Sequence, residues 1–176
     1  MPKEYIITMT AANRVGIMSA VTRAMSDLGA DLREASQTVV RGYFTMIFSA
    51  EFPEKLDAGV IRDHLLDVCR PFGIDVNLKE PVPETGDETP RKTLRLYSLR
   101  LGGDNQPGVL RQLSTVISTK RIDIAGMHAV RVRRGSGFEM VMKIAVPPEL
   151  DIDGLLAELN QIGQPFNMTA DISDYS

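Results

Sequence analysis

One cysteine, Cys69, is all the 176-residue chain contains. That excludes an intrachain disulfide and any zinc or iron–sulfur site built from clustered cysteines. Histidine is nearly as scarce, with only His64 and His128 to serve as a metal ligand or general base. Apolar runs reach only a handful of residues, too short to cross a bilayer. An excess of basic charge is also missing: the formal net charge is −3 and the isoelectric point near 5.4, so no overall positive field attracts nucleic acid or an anionic membrane. Met1-Pro2-Lys3-Glu4 leads directly into a strand-like segment without the charged and apolar regions of a signal peptide. These absences predict a cytoplasmic protein that is not an enzyme. The chain has no glycine-rich phosphate loop, no nucleophile elbow and no pair of metal ligands at helical spacing.

What is present is a repeat. At a shift of 92 residues Tyr5 meets Tyr97, Asn13 meets Asn105, Gly16 meets Gly108, Val21 meets Leu113, and Asp31-Leu32 meets Asp123-Ile124. Beyond Arg41 the shift becomes 94 and pairs Phe44 with Phe138, Pro53 with Pro147, Leu65 with Leu159 and Phe72 with Phe166. The two extra residues fall in Arg133-Arg134-Gly135-Ser136-Gly137, a glycine-rich turn where insertion is cheap. The copies are expected as domains at 1–80 and 93–176. Residues 81–92, rich in proline and acid, read as a linker.

Both copies show one succession of periods. In the first, Tyr5, Ile7 and Met9 alternate as in a strand. Ile17, Val21, Met25 and Leu28 then form a helical stripe that stops at Gly29. Two β-rich runs joined at Arg41-Gly42 follow, and then a second helix with Ile61, Leu65, Val68 and Phe72 inward. A short strand around Ile74, Val76 and Leu78 closes the copy. The order is βαββαβ twice, an α+β chain of two ferredoxin-like units. Each is expected to hold a four-stranded antiparallel sheet with both helices on one face. A unit this small leaves a sheet face and strand edges uncovered, so a homodimer is expected.

The segments most suggestive of function are Asn13-Arg14-Val15-Gly16-Ile17 and Asn105-Gln106-Pro107-Gly108-Val109. In each, a polar side chain and a glycine precede an amphipathic helix. The glycine admits close approach of a ligand, and the helix start offers free N–H groups of partial positive charge, a setting for a carboxylate. Asn13 and Asn105 either add an amide contact or merely cap the helix. Asp31 and Asp123, after the first helix of each copy, are either turn residues or partners for an ammonium from a neighbouring domain. Carboxylate and ammonium together describe an amino acid.

These segments resemble the ACT domain, which carries an Asp/Asn-Arg-Pro-Gly-Ile/Val loop and a Gly-x-Asn/Asp-Ile/Leu segment after its first helix. The tandem arrangement is similar to the two-ACT regulators of the glycine cleavage system transcriptional repressor type. The resemblance implies a regulatory protein that binds a small amino acid such as glycine or serine at inter-domain loops and acts on a protein partner, a transcription activator or a metabolic enzyme. It implies ligand contacts from Asn13, Arg14, Val15, Gly16, Ile17, Asp31 and Leu32, and from Asn105, Gln106, Pro107, Gly108, Val109, Asp123 and Ile124. No cofactor or metal is implied. The pattern departs at Val15, where the family has proline, at Gln106, where it often has arginine, and at Asp31 and Asp123, which stand for asparagine.

The remaining signals read as structural. Cys69 reads as a small buried hydrophobe, His64 as a surface helix residue, and His128 as a structural residue opening a strand. Arg41-Gly42-Tyr43-Phe44-Thr45-Met46-Ile47-Phe48 partly matches the signature of an RNA-recognition strand, but Thr45 stands where an aromatic must stack. Charge is uneven. Residues 1–90 hold nine basic and fourteen acidic side chains, the remainder eleven and nine. Arg95, Arg100, Arg131, Arg133 and Arg134 are expected to lie close together as a solvated rim.

Overall fold

A computed structural model describes residues 1–82, 93–104, 108–132 and 137–175. The chain divides into two compact units, Met1–Glu84 and Thr85–Ser176. The linker assigned to 81–92 lies, from residue 83 onward, outside the described residues. So does the turn at 133–136.

In unit one, β1 (Lys3–Ala12) is followed by α1 (Ile17–Asp27), β2 (Asp31–Val40), β3 (Tyr43–Phe52), α2 (Ala58–Val68) and β4 (Asp75–Lys79). The sheet order is β2-β3-β1-β4 with every neighbour antiparallel, the ferredoxin-like arrangement. Unit two repeats it with β5 (Arg95–Asp104), α3 (Val109–Thr119), β6 (Asp123–Arg131), β7 (Gly137–Val146), α4 (Ile152–Gly163) and β8 (Thr169–Asp174), in the order β6-β7-β5-β8. The central strand β1 extends two residues beyond each end of the alternation Tyr5–Thr10, because it pairs with β3 along its whole length.

Alternation decides which face is buried. Ile7 and Met9 of β1 and Phe44, Phe48 and Phe52 of β3 point to one side, where the stripes Ile17–Val21–Met25 and Ile61–Leu65 cover them. Leu99, Ile144, Leu113, Leu155 and Leu159 form the counterpart core in unit two. Phe44 is 1% exposed, so it faces the helices and displays nothing to a base, as the failed RNA signature implied.

One edge of each sheet is different. All ten residues of β2 and all nine of β6 are exposed, because the helices leave this edge uncovered, whereas the opposite edge strands β4 and β8 set Val76, Leu78, Ala170 and Ile172 against the cores. Strands β2 and β6 each carry a bulge, at Arg33 and at Ala125, where the register slips against β3 and β7. The β2–β3 hairpin turns on Arg41 (φ 49°) and Gly42 (φ 82°), two consecutive left-handed residues that match the twist of the strands.

Candidate functional site

The loop between β1 and α1 is pinned to the hairpin tip, since the Asn13 N–H donates to the Gly42 carbonyl at 2.8 Å. Arg14 and Val15 then stand in solvent, Val15 fully exposed. Gly16 turns the chain into α1 with φ 99°, a left-handed value that a side chain resists. A Cβ at this glycine would also meet the Phe72 ring at 3.3 Å. No side chain caps α1, so the capping alternative for Asn13 is not realised, and the first N–H groups of the helix face the loop unsatisfied by any side chain.

Unit two repeats this geometry. Gly108 has φ 93°, and among the described residues no side chain caps α3 and nothing lies within 4 Å of where a Gly108 Cβ would be. A hollow of about 410 Å³ opens there, lined by Gly108, Arg111, Gln112 and Thr115. Asn105, Gln106 and Pro107 lie outside the described residues. The side chains of Ile17 and Val109 are buried in their cores, so these two positions present only backbone to the loop.

The second helices behave otherwise. Asp57 accepts from the Val60 N–H at 2.9 Å and Asp151 from the Asp153 N–H at 3.2 Å, each capping its helix in the ordinary way. Among the described residues, an open helix start is found at the first helix of each unit and not at the second. There the aligned peptide dipoles amount to about half a positive charge.

Asp31-Leu32 and Asp123-Ile124 do not join these loops within a unit. Asp31 pairs across the sheet with Glu51, which pairs with Glu4 near the start of β1, whereas Asn13 follows the end of that strand. Ten strand residues at about 3.3 Å each put the two places roughly 30 Å apart. Asp31 is engaged by Arg33 at 3.4 Å, and Arg33 also bonds Glu51 at 2.7 Å. That hydrogen bond and the charges of Glu51, Asp31 and Glu4 hold the guanidinium even more firmly protonated than usual. The Asp123 side chain has neither a hydrogen bond nor an ion pair among the described residues, its backbone lying in the ladder opposite Ala145. Leu32 and Ile124 are exposed apolar side chains at the edge strands, 51% and 40% accessible.

The other candidates resolve differently. Cys69 is buried, and burial pushes its thiol up, away from the reactive thiolate. His64 is not a plain surface residue: its Nε2 is enclosed between the helices, 3.5 Å from Asp27 Oδ2 of α1. His128 lies within β6 rather than at its start, with its side chain exposed. Arg95 and Arg131 are not together. Arg95 is opposite Val146 at one end of the sheet and donates to the Leu150 carbonyl, while Arg131 is opposite Phe138 at the other. Arg133 and Arg134 lie outside the described residues. No group of three or more His, Cys, Asp or Glu side chains suited to a metal ion occurs among the described residues. Nor is any helix there long and apolar enough to cross a membrane.

Fold and loop together define a tandem of ferredoxin-like modules, each with a glycine-led first helix that no side chain caps among the described residues. The ACT-domain family model matches residues 5–69. The chain is 39% identical over 64 residues to the UPF0237 protein DIP1286 of Corynebacterium diphtheriae, a match spanning 36% of this chain and 72% of that one. It is 32% identical over 76 residues to a UPF0237 protein of Methanosarcina mazei, spanning 43% and 83%. Among solved structures it superposes on an unknown protein from Galdieria sulphuraria with a TM-score of 0.80, 17% identity and full coverage of both chains. A provisionally named glycine cleavage system transcriptional repressor superposes with a TM-score of 0.68, 12% identity and 99% coverage of both. The chain belongs to the ACT-domain family, as a protein of two ACT-like units.

Proposed function

We propose that this protein is a non-enzymatic regulator that binds a small amino acid at the β1–α1 and β5–α3 loops. The observation that carries this reading is that, among the described residues, the first-helix starts at Gly16 and Gly108 have no side-chain cap, whereas those of α2 and α4 are capped. Backbone N–H groups there take the carboxylate of the ligand, and Asn13 and Asn105 add amide contacts. Binding orders the loops and shifts the population toward one packing of the units, which a protein partner reads. In this reading the partner is a transcription activator or a metabolic enzyme, the working form is a cytoplasmic homodimer, and residues 81–92 link two domains at 1–80 and 93–176. The name of the glycine cleavage neighbour makes glycine the first ligand to try.

Isothermal titration of the purified protein with glycine, serine and the branched-chain amino acids tests this reading. Saturable heat from at least one is expected, weakened by Asn13→Ala or Asn105→Ala. Absence of heat from all of them removes the proposal. A second reading rests on the open sheet face of each unit, the side away from the helices, where Tyr43, Ile47, Leu96 and Val141 are exposed. In it the protein is a docking module without a small ligand. Co-purification of one specific partner, indifferent to every amino acid, would favour that alternative.

A further inference from the structure

In both units a pair of opposite groups bridges the two helices. In unit two Lys120, the residue just after α3, reaches Glu158 of α4 at 2.8 Å. In unit one His64 of α2 stands where the repeat puts Glu158, and its Nε2 lies 3.5 Å from Oδ2 of Asp27, the last residue of α1. Cation and anion have exchanged helices between the copies. They also differ in permanence. Lysine and glutamate are both charged at neutral pH, whereas an imidazole gains or loses its charge between about pH 5 and 8.

The His64 Nε2 is enclosed and has no hydrogen-bond partner among the described residues. A neutral ring thus leaves a buried polar atom unsatisfied, which is costly. Protonation turns it into a cationic donor facing a carboxylate. That cation also stands at the carbonyl end of α1, where the peptide dipoles favour positive charge, and α1 has no basic residue in its own last turn. The neighbouring charges do not take its place. Arg23, one turn before Asp27 on α1, has no ion pair among the described residues. On α2, Asp63 meets Arg62 at 3.6 Å, Asp67 is held by Arg70 at 2.5 Å, and Asp57 caps the helix. Strand β4, packed on α2, turns Val76 and Leu78 toward the core.

We propose that His64 and Asp27 form an acid-closed clamp between α1 and α2 of unit one, for which the Lys120–Glu158 pair of unit two is the counterpart without a switch. The stability it adds is present on the acid side and is lost as pH rises through the histidine range. Aspartate ordinarily stays ionised down to about pH 4, so the carboxylate persists throughout that window. The clamp needs no ligand and stands apart from the glycine loops.

Hydrogen exchange of the full chain, corrected for the intrinsic effect of pH and followed in α1 with α3 as internal control, tests it. Between pH 8 and pH 5.5 the protection of α1 should rise about threefold more in the native chain than in Asp27→Asn, the modest gain of a half-exposed pair. Protection of α3 should show no such difference. His64→Lys should keep α1 at the acid level of protection at both pH values, since its ammonium stays charged. In a His64→Gln chain, Asp27→Asn should have no pH-dependent effect. Equal responses of the native chain and Asp27→Asn overturn the clamp. So does an effect of Asp27→Asn that still varies with pH in the His64→Gln chain, or a His64→Lys chain that follows pH as the native one does.

Discussion

Gly16 and Gly108 occupy the same position in the repeat and nearly the same backbone conformation, yet their surroundings differ. Both sit at a φ that disfavours any Cβ, a cost of about 1–2 kcal/mol on substitution. At Gly16 the added carbon would also press on Phe72, whereas at Gly108 it meets nothing within 4 Å among the described residues. Gly16→Ala should therefore destabilise unit one more than Gly108→Ala destabilises unit two, as urea unfolding would measure. Equal losses would show that the Phe72 ring yields without resistance. The glycines were legible in the sequence as turn-formers before a helix. Their different neighbourhoods were not, because Phe72 is 56 residues away from Gly16 along the chain and reaches it only after α2 has packed.

Helix starts carry the argument at the scale of elements. Asp57 and Asp151 bond to backbone N–H groups, so Asp57→Ala and Asp151→Ala should each cost about 1 kcal/mol. Asn13 caps nothing, so Asn13→Ala should leave the thermal midpoint almost unmoved while weakening amino-acid binding. A stability loss from Asn13→Ala equal to that of Asp57→Ala would restore a structural role to the asparagine. Strand and helix order could be read from periodicity, since each element alternates or repeats according to which face it buries. The arginine rim could not. Arg95 and Arg131 are near in the imagined sheet only if strand direction is ignored, and antiparallel pairing sends them to opposite ends. His64 was also hidden, because an α2 side chain meets Asp27 only through the crossing of two helices.

For the whole molecule, the repeat makes a paired experiment possible. Leu65 and Leu159 are pseudo-equivalent and at most 1% exposed. Truncating either to alanine should remove about 2–5 kcal/mol, a large part of what a small domain possesses. Calorimetry should show Leu65→Ala lowering the transition of unit one and Leu159→Ala that of unit two. Comparable losses would mean that the two cores are equally well packed despite their divergence in sequence.

Period, repeat and turn chemistry are local properties of a chain, and from them alone followed the duplication, the βαββαβ order, the inward faces and the two glycine loops. Tertiary structure decided what depends on closure. Among the described residues it left the first helices without a side-chain cap, and it set Asp31 and Asp123 a strand's length from the helix starts. It also let Arg33 pair with Asp31 and Glu51 at one bulge, while Lys143 and Asp123 have no ion pair among the described residues at the other. Charges separated along the chain interact only where the sheet folds them side by side, and a side chain's partners are set by that geometry rather than by its neighbours in sequence.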